Sequence, residues 1–142
     1  MKKTNSNNKG FTLVELIVVL VILAILAAIL VPTLLGYIDR ARSEKDYSTA
    51  QSIRVAVQAE IDELYGKGDD DVTWAEVSAK ADAIFKLVGT DTAHKLDGQE
   101  LKLVAGTISN NQLTAIIVSV GGKKYKYTSS SNTWEPTTAE SL

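Results

Sequence analysis

Glu15 is the residue whose setting most demands chemistry. It stands near the start of KGFTLVELIVVLVILAILAAILVP, residues 9 to 32, just ahead of an unbroken apolar run at 16 to 31. A carboxylate inside a membrane span costs roughly 2.5–3.5 kcal/mol on insertion scales. Its natural partner is a cation. A buried ion pair adds little net stability, but leaving one member unpaired costs several kcal/mol. Such a pair sets register more than affinity. The other titratable groups offer less. His94 is the only histidine and there is no cysteine, which argues against a zinc cluster and removes thiolate chemistry. No nucleophile–base pair and no phosphate loop stands out, so no residue is assigned a catalytic role and no cofactor is expected. Asp69, Asp70 and Asp71 are consecutive, without the alternation of a calcium loop. They read as a solvated acidic turn, with calcium left open. Tyr125 and Tyr127 alternate with Lys124 and Lys126. Basic–aromatic interleaving can contact nucleic acid, but period two puts the tyrosines on a buried face and the lysines in water, guarding an edge strand.

The element that must position Glu15 is a helix. Residues 11 to 31 would span about 31 Å at 1.5 Å per residue, matching a hydrocarbon core. Lys2, Lys3 and Lys9 precede it, so the N-terminus is expected in the cytoplasm and the rest outside. A secretory signal fits the basic head but not the tail, because the apolar run is too long and continues through Ala27 and Ala28 to Val31. A simple signal anchor accounts for the span but not for Glu15 or the Gly10–Phe11 junction.

A third reading accounts for those as well. Gly10-Phe11-Thr12-Leu13-Val14-Glu15, after a short basic polar leader and before the apolar run, resembles the class III signal of type IV pilins and pseudopilins. The likeness covers roughly residues 1 to 50 and is strongest over 9 to 36. It implies cleavage between Gly10 and Phe11 by a prepilin peptidase, and N-methylation of the new Phe11 amine. Glu15 falls where the family carries its glutamate, and Pro32 where it commonly has a proline. The chemistry agrees: cleavage creates an amine cation beside an apolar segment, with a carboxylate one helical turn along. The helix dipole also favours Glu15 at that end. In an assembly, the amine of one copy can meet Glu15 of another. The plain alternative is that Glu15 snorkels at the membrane boundary.

Beyond the span, Pro32 removes a backbone donor and Gly36 weakens the next turn, so a kink or melted stretch is expected near 28 to 36. The helix then resumes. Ala50, Ile53, Val57, Ile61 and Leu64 form one apolar stripe. Arg40, Arg42, Glu44, Lys45, Arg54, Glu60 and Glu63 are assigned to the other face, and Gly66 and Gly68 stop the helix. Thr73-Trp74-Ala75-Glu76 reads as a capping box. It opens one further helix burying Trp74, Val77, Ala81, Ile84, Phe85 and Val88, which Gly89 stops. From residue 96 the period is two, with strands expected at 101–105, 113–120 and 123–128. Gly121-Gly122 is a hairpin turn, Asn110-Asn111 and Leu96-Asp97-Gly98-Gln99 further turns. Trp134 is expected to tuck onto the sheet ahead of Pro136.

The expected fold class is α+β and pilin-like, a long N-terminal helix packed on a three- or four-stranded antiparallel sheet. The expected organisation is a leader at 1–10, a membrane and filament-core helix at 11–36 and a globular domain at 37–142. Loss of the leader's three lysines leaves 12 basic against 17 acidic residues, a formal −5, which argues against general nucleic-acid binding. The resemblance implies a homopolymer of pilin subunits, partnered by the prepilin peptidase/N-methyltransferase and the pilus assembly machinery. The subunit would lie in the membrane before assembly and in a surface pilus afterwards. A pseudopilin of a secretion or competence system shares the same signal. A single-pass membrane-anchored binding module is the alternative of another class.

Overall fold

A computed structural model describes residues 9–68 and 70–142. Most of the leader, including Lys2 and Lys3, and Asp69 of the acidic turn lie outside the described residues. The elements run α1 (Leu13–Gly66), α2 (Trp74–Ser78), α3 (Ala81–Val88), β1 (Lys95–Leu96), β2 (Gln99–Ser109), β3 (Gln112–Val120), β4 (Lys123–Thr128) and β5 (Thr133–Thr137). The chain divides into two compact units between Arg42 and Ser43.

The first unit is the N-terminal part of α1. Every large apolar side chain from Phe11 to Leu35 is at least half exposed. A helix apolar on all sides cannot be a surface helix of a soluble domain. It needs a bilayer or other helices around it, and it is long and apolar enough to cross a membrane. Pro32 lies inside α1, and residues 28–36 are helical throughout. Proline has no N–H, so the Ala28 carbonyl lacks its usual donor. One residue on, the Thr33 hydroxyl donates to the Ile29 carbonyl at 3.1 Å.

The second unit is built on the C-terminal part of α1. The apolar stripe is as expected: Ala50, Ile53, Val57 and Ile61 are fully buried, and Leu64 packs at the margin. One assignment is corrected. Glu60 is only 6 % exposed and so is not on the solvated face. It follows Ala56 by four residues and Val57 by three, which carries it onto the buried side.

The expected single helix at 74–88 is two. Thr73 makes the capping box, accepting from the Glu76 amide while Glu76 accepts from the Thr73 amide at 2.9 Å. That helix ends after five residues. The Ala75 carbonyl still takes its helical bond from the Ala79 amide at 3.1 Å, but the Lys80 amide turns back to the Val77 carbonyl at 3.0 Å, a tighter three-residue turn that closes the helix. The break lets α2 bury Val77 and α3 bury Ile84 and Phe85. Gly89 ends α3 at φ 92°, a left-handed conformation that favours glycine.

The sheet has five strands in the order β1-β2-β3-β4-β5, all antiparallel. Three two-residue turns join the first four: Asp97-Gly98, Asn110-Asn111 and Gly121-Gly122. All six residues have positive φ, the geometry that matches strand twist. The expectation of three or four strands missed β1 and β5, each five residues or fewer. It also made β4 an edge. β4 lies between β3 and β5, so its lysines guard no edge. The true edge at that side is β5, where Pro136 withholds a donor from outside strands.

Tyr125 and Tyr127 are buried as expected, with Ile116, Val118 and Val120 beside them against α1. The opposite sheet face is not simply wet. Ile117 is fully buried and Ser119 nearly so. Lys126 lies across from Ile117, and Lys102 and Lys124 flank Ser119. Their aliphatic stems cover apolar surface while the ammonium groups reach water. Lys124 also pairs with Glu140 of the C-terminal tail.

Candidate processing and assembly site

Gly10 and Phe11 precede the helix in irregular, exposed chain, and Phe11 is 89 % exposed. A Cβ built on Gly10 would meet nothing within 4 Å. Among the described residues, therefore, no steric demand calls for glycine there. A demand from outside, such as a peptidase cleft that must approach the backbone closely, is consistent with that.

Thr12 begins the helix. Its carbonyl accepts from the Leu16 amide at 3.2 Å. Its hydroxyl accepts from the Glu15 amide at 3.3 Å, and its own amide donates to Glu15 Oε2 at 2.9 Å. This is a second capping box, T-L-V-E, and it was legible as a Thr-x-x-Glu spacing. The expectation for Glu15 looked outward for a cation and passed over this nearer donor. Both groups remain exposed, so the bonds orient the carboxylate without burying it. Glu15 and Phe11 lie together on apolar helix surface with Val14, Leu16, Val18 and Val19.

Residues 5–31 match the sequence model of the prokaryotic N-terminal methylation motif. Over 97 residues the chain is 33 % identical to the type IV major fimbrial protein FimA of Dichelobacter nodosus, a match covering 67 % of this chain. The chain carries the N-terminal methylation motif and is similar to a type IV fimbrial protein. It spans 60 % of the length of that fimbrial relative. No solved structure matches it. The pilin-like architecture is α+β, with the long helix followed by the antiparallel sheet.

Away from the N-terminus, His94 and Trp74 are occupied within the fold. His94 pairs with Asp82 at 2.7 Å and its ring packs on Phe85. Among the described residues no group of acidic or histidine side chains could hold a metal ion. Trp74 lies directly over Gly106, where a Cβ would stand 2.2 Å from the indole ring. It is a packing residue.

Several residues that organise the pilin-like fold escaped the sequence reading. Asp46 is buried on α1 and accepts from the Tyr125 hydroxyl at 2.8 Å and from Gln99 Nε2 at 3.2 Å. Burial, and then the bond to Asp46, push the Tyr125 phenol above its ordinary range. Gln51 Oε1 accepts from Trp134 Nε1 and from Arg54 Nε, while the Arg54 guanidinium lies 4.6 Å over Tyr127. Gln58 Oε1 accepts from the Leu113 amide, and its amide nitrogen donates to the Asn111 carbonyl. Each is a polar residue on an amphipathic helix. Only the strand on the other side says that it points inward.

Proposed function

We propose that this chain is the structural subunit of a type IV pilus. It enters the membrane as a single-pass precursor, N-terminus inside and globular domain outside. A prepilin peptidase cleaves between Gly10 and Phe11, and the new Phe11 amine is methylated. The subunit then polymerises into a surface filament through its N-terminal helix, with Glu15 of one copy paired to the Phe11 amine of another. Pro32 and Gly36 are the weak points at which that helix would bend or melt on assembly.

The observation that carries this reading is the helix from Leu13 to Leu35. It is apolar on every side, wholly exposed in the single chain, and bears one carboxylate at its start. A bilayer can cover such a helix before assembly, and a bundle of its own copies afterwards. The pilus is favoured over a pseudopilus because the matched relative is a major fimbrial protein. Mass spectrometry of the native protein tests the processing steps. The expected chain begins at Phe11 and carries one methyl group. A chain beginning at Met1 or Ala28 would restore the anchor or the ordinary signal peptide. Electron microscopy of sheared cell surfaces separates long pili from short pseudopili.

A further inference from the structure

Beginning two residues past Leu35, α1 carries Tyr37, Arg40 and Arg42, all exposed and all in the first unit. Tyr37 is 67 % exposed. Among the described residues neither arginine makes a hydrogen bond or an ion pair, although Glu44 follows Arg40 by four positions and Asp39 precedes Arg42 by three. The third arginine of the chain, Arg54, is engaged with Gln51 and Tyr127. The unpartnered pair therefore sits at one place on the helix. At 1.5 Å per residue, Arg40 and Arg42 lie about 7.5 and 10.5 Å beyond Leu35 along the axis. That is the depth of the headgroups if Leu35 marks the end of the hydrocarbon.

We propose that Tyr37, Arg40 and Arg42 form a collar that binds phospholipid phosphate groups on the outer leaflet while the subunit waits in the membrane. The partner is a lipid surface because of how the residues are disposed. At about 100° per residue, Arg40 and Arg42 lie about 160° apart around the helix, with Tyr37 on the longer arc between them, about 60° from Arg40. A protein partner approaches from one side and would use one arginine. A bilayer surrounds the helix and uses both. Guanidinium groups match phosphate oxygens in a fork, and tyrosine favours the interfacial layer. The collar rests on the reading that residues 11–36 cross the bilayer. It also implies that leaving the membrane for a filament requires these contacts to be broken.

The test uses the full precursor chain labelled with ¹³C at the arginine guanidinium carbon. It is reconstituted in phosphate-free buffer into phosphatidylcholine bilayers and, separately, into bilayers containing phosphatidylglycerol. Only three arginines report, and Arg54 is an internal control. The expected result is ¹³C–³¹P dephasing from two arginine carbons in both lipids. Arg40→Gln and Arg42→Gln should each remove one of the two signals. Absence of dephasing, or dephasing from one arginine alone, would overturn the collar. So would contact of these carbons with carboxylates of another copy. Dephasing confined to phosphatidylglycerol would overturn phosphate recognition in favour of net surface charge. Proton contact from acyl chains to Val21 and Leu26 is read on a second, uniformly ¹³C-labelled sample in the same bilayers. If that contact is missing, the span reading has failed; if it is present without dephasing, only the collar has.

Discussion

The carboxylate of Glu15 has two suitors. Within the chain it is held by the Thr12 amide; in a filament the proposed partner is the Phe11 amine of another copy. Glu15→Ala should leave cleavage after Gly10 intact, because the proposed peptidase acts before assembly. Filaments should be few or absent, with mature subunits retained in the membrane. The lost pairing amounts to about 3–5 kcal/mol if it is fully desolvated. Comparing membrane and sheared-filament fractions decides it, and wild-type filament yield would reduce Glu15 to a boundary residue. A second prediction concerns Tyr125. Its phenol has a raised pKa in the folded state, so the unfolded chain ionises first, near the ordinary value of 10.0. The contribution is therefore complete below pH 10 and fades as pH rises beyond it. Thermal unfolding of the globular domain should show this alkaline loss. Tyr125→Phe should lower stability by about 1 kcal/mol at neutral pH and flatten the alkaline slope. An unchanged slope in that variant would assign the loss to another group.

At the level of elements, close packing and turn chemistry decide more than propensity does. Trp74 of α2 sits on Gly106 of β2, in space where a side chain would otherwise stand. Gly106→Ala should destabilise the domain by about 1–3 kcal/mol, since the ring must shift or the strand must move. Combined with Trp74→Leu, the second change should cost less than on its own, and a double-mutant cycle measures the difference. Strict additivity would mean that the two residues do not press on each other. Both the helix start at Thr73 and the stop at Gly89 were legible, because caps are local chemistry. The break at Ser78 was not, because the apolar residues keep helical spacing across it and only the sheet beneath sets the two directions. The strands with strong alternation were read to within a residue or so at β3 and β4. β5 was hidden in Ser/Thr-rich sequence, and its place depends on Trp134 reaching Gln51, 83 residues earlier. The site shows the same division. Gly10, Phe11 and Glu15 were marked by motif, whereas Asp46 looked like one more charge on an amphipathic helix until Tyr125 and Gln99 closed over it.

For the molecule as a whole, the two units have opposite requirements. One exposes apolar surface on every side and the other has its own core, drawn from α1, α2, α3 and strands β2, β3 and β4. Residues 37–142 alone should therefore be soluble, folded and monomeric. They should unfold cooperatively, with no response to reductant because there is no cysteine. Sedimentation and thermal scans check this. Long filaments from the truncated domain would show that assembly does not depend on the N-terminal helix.

The sheet order carries one more consequence. Every strand pairs with its neighbour in sequence, and three of the four links are two-residue turns. Such hairpins close at small entropic cost and at high speed, because few residues must be ordered before the first contacts form. The distant contacts are those that seat the finished sheet on α1, such as Asp46 with Tyr125. In the proposed precursor, a domain delivered across the membrane with its helix still held in the lipid can thus zip its strands in order of arrival and dock them last. The rate of refolding should then respond weakly to changes at Asp46 or Gln51, and the rate of unfolding strongly.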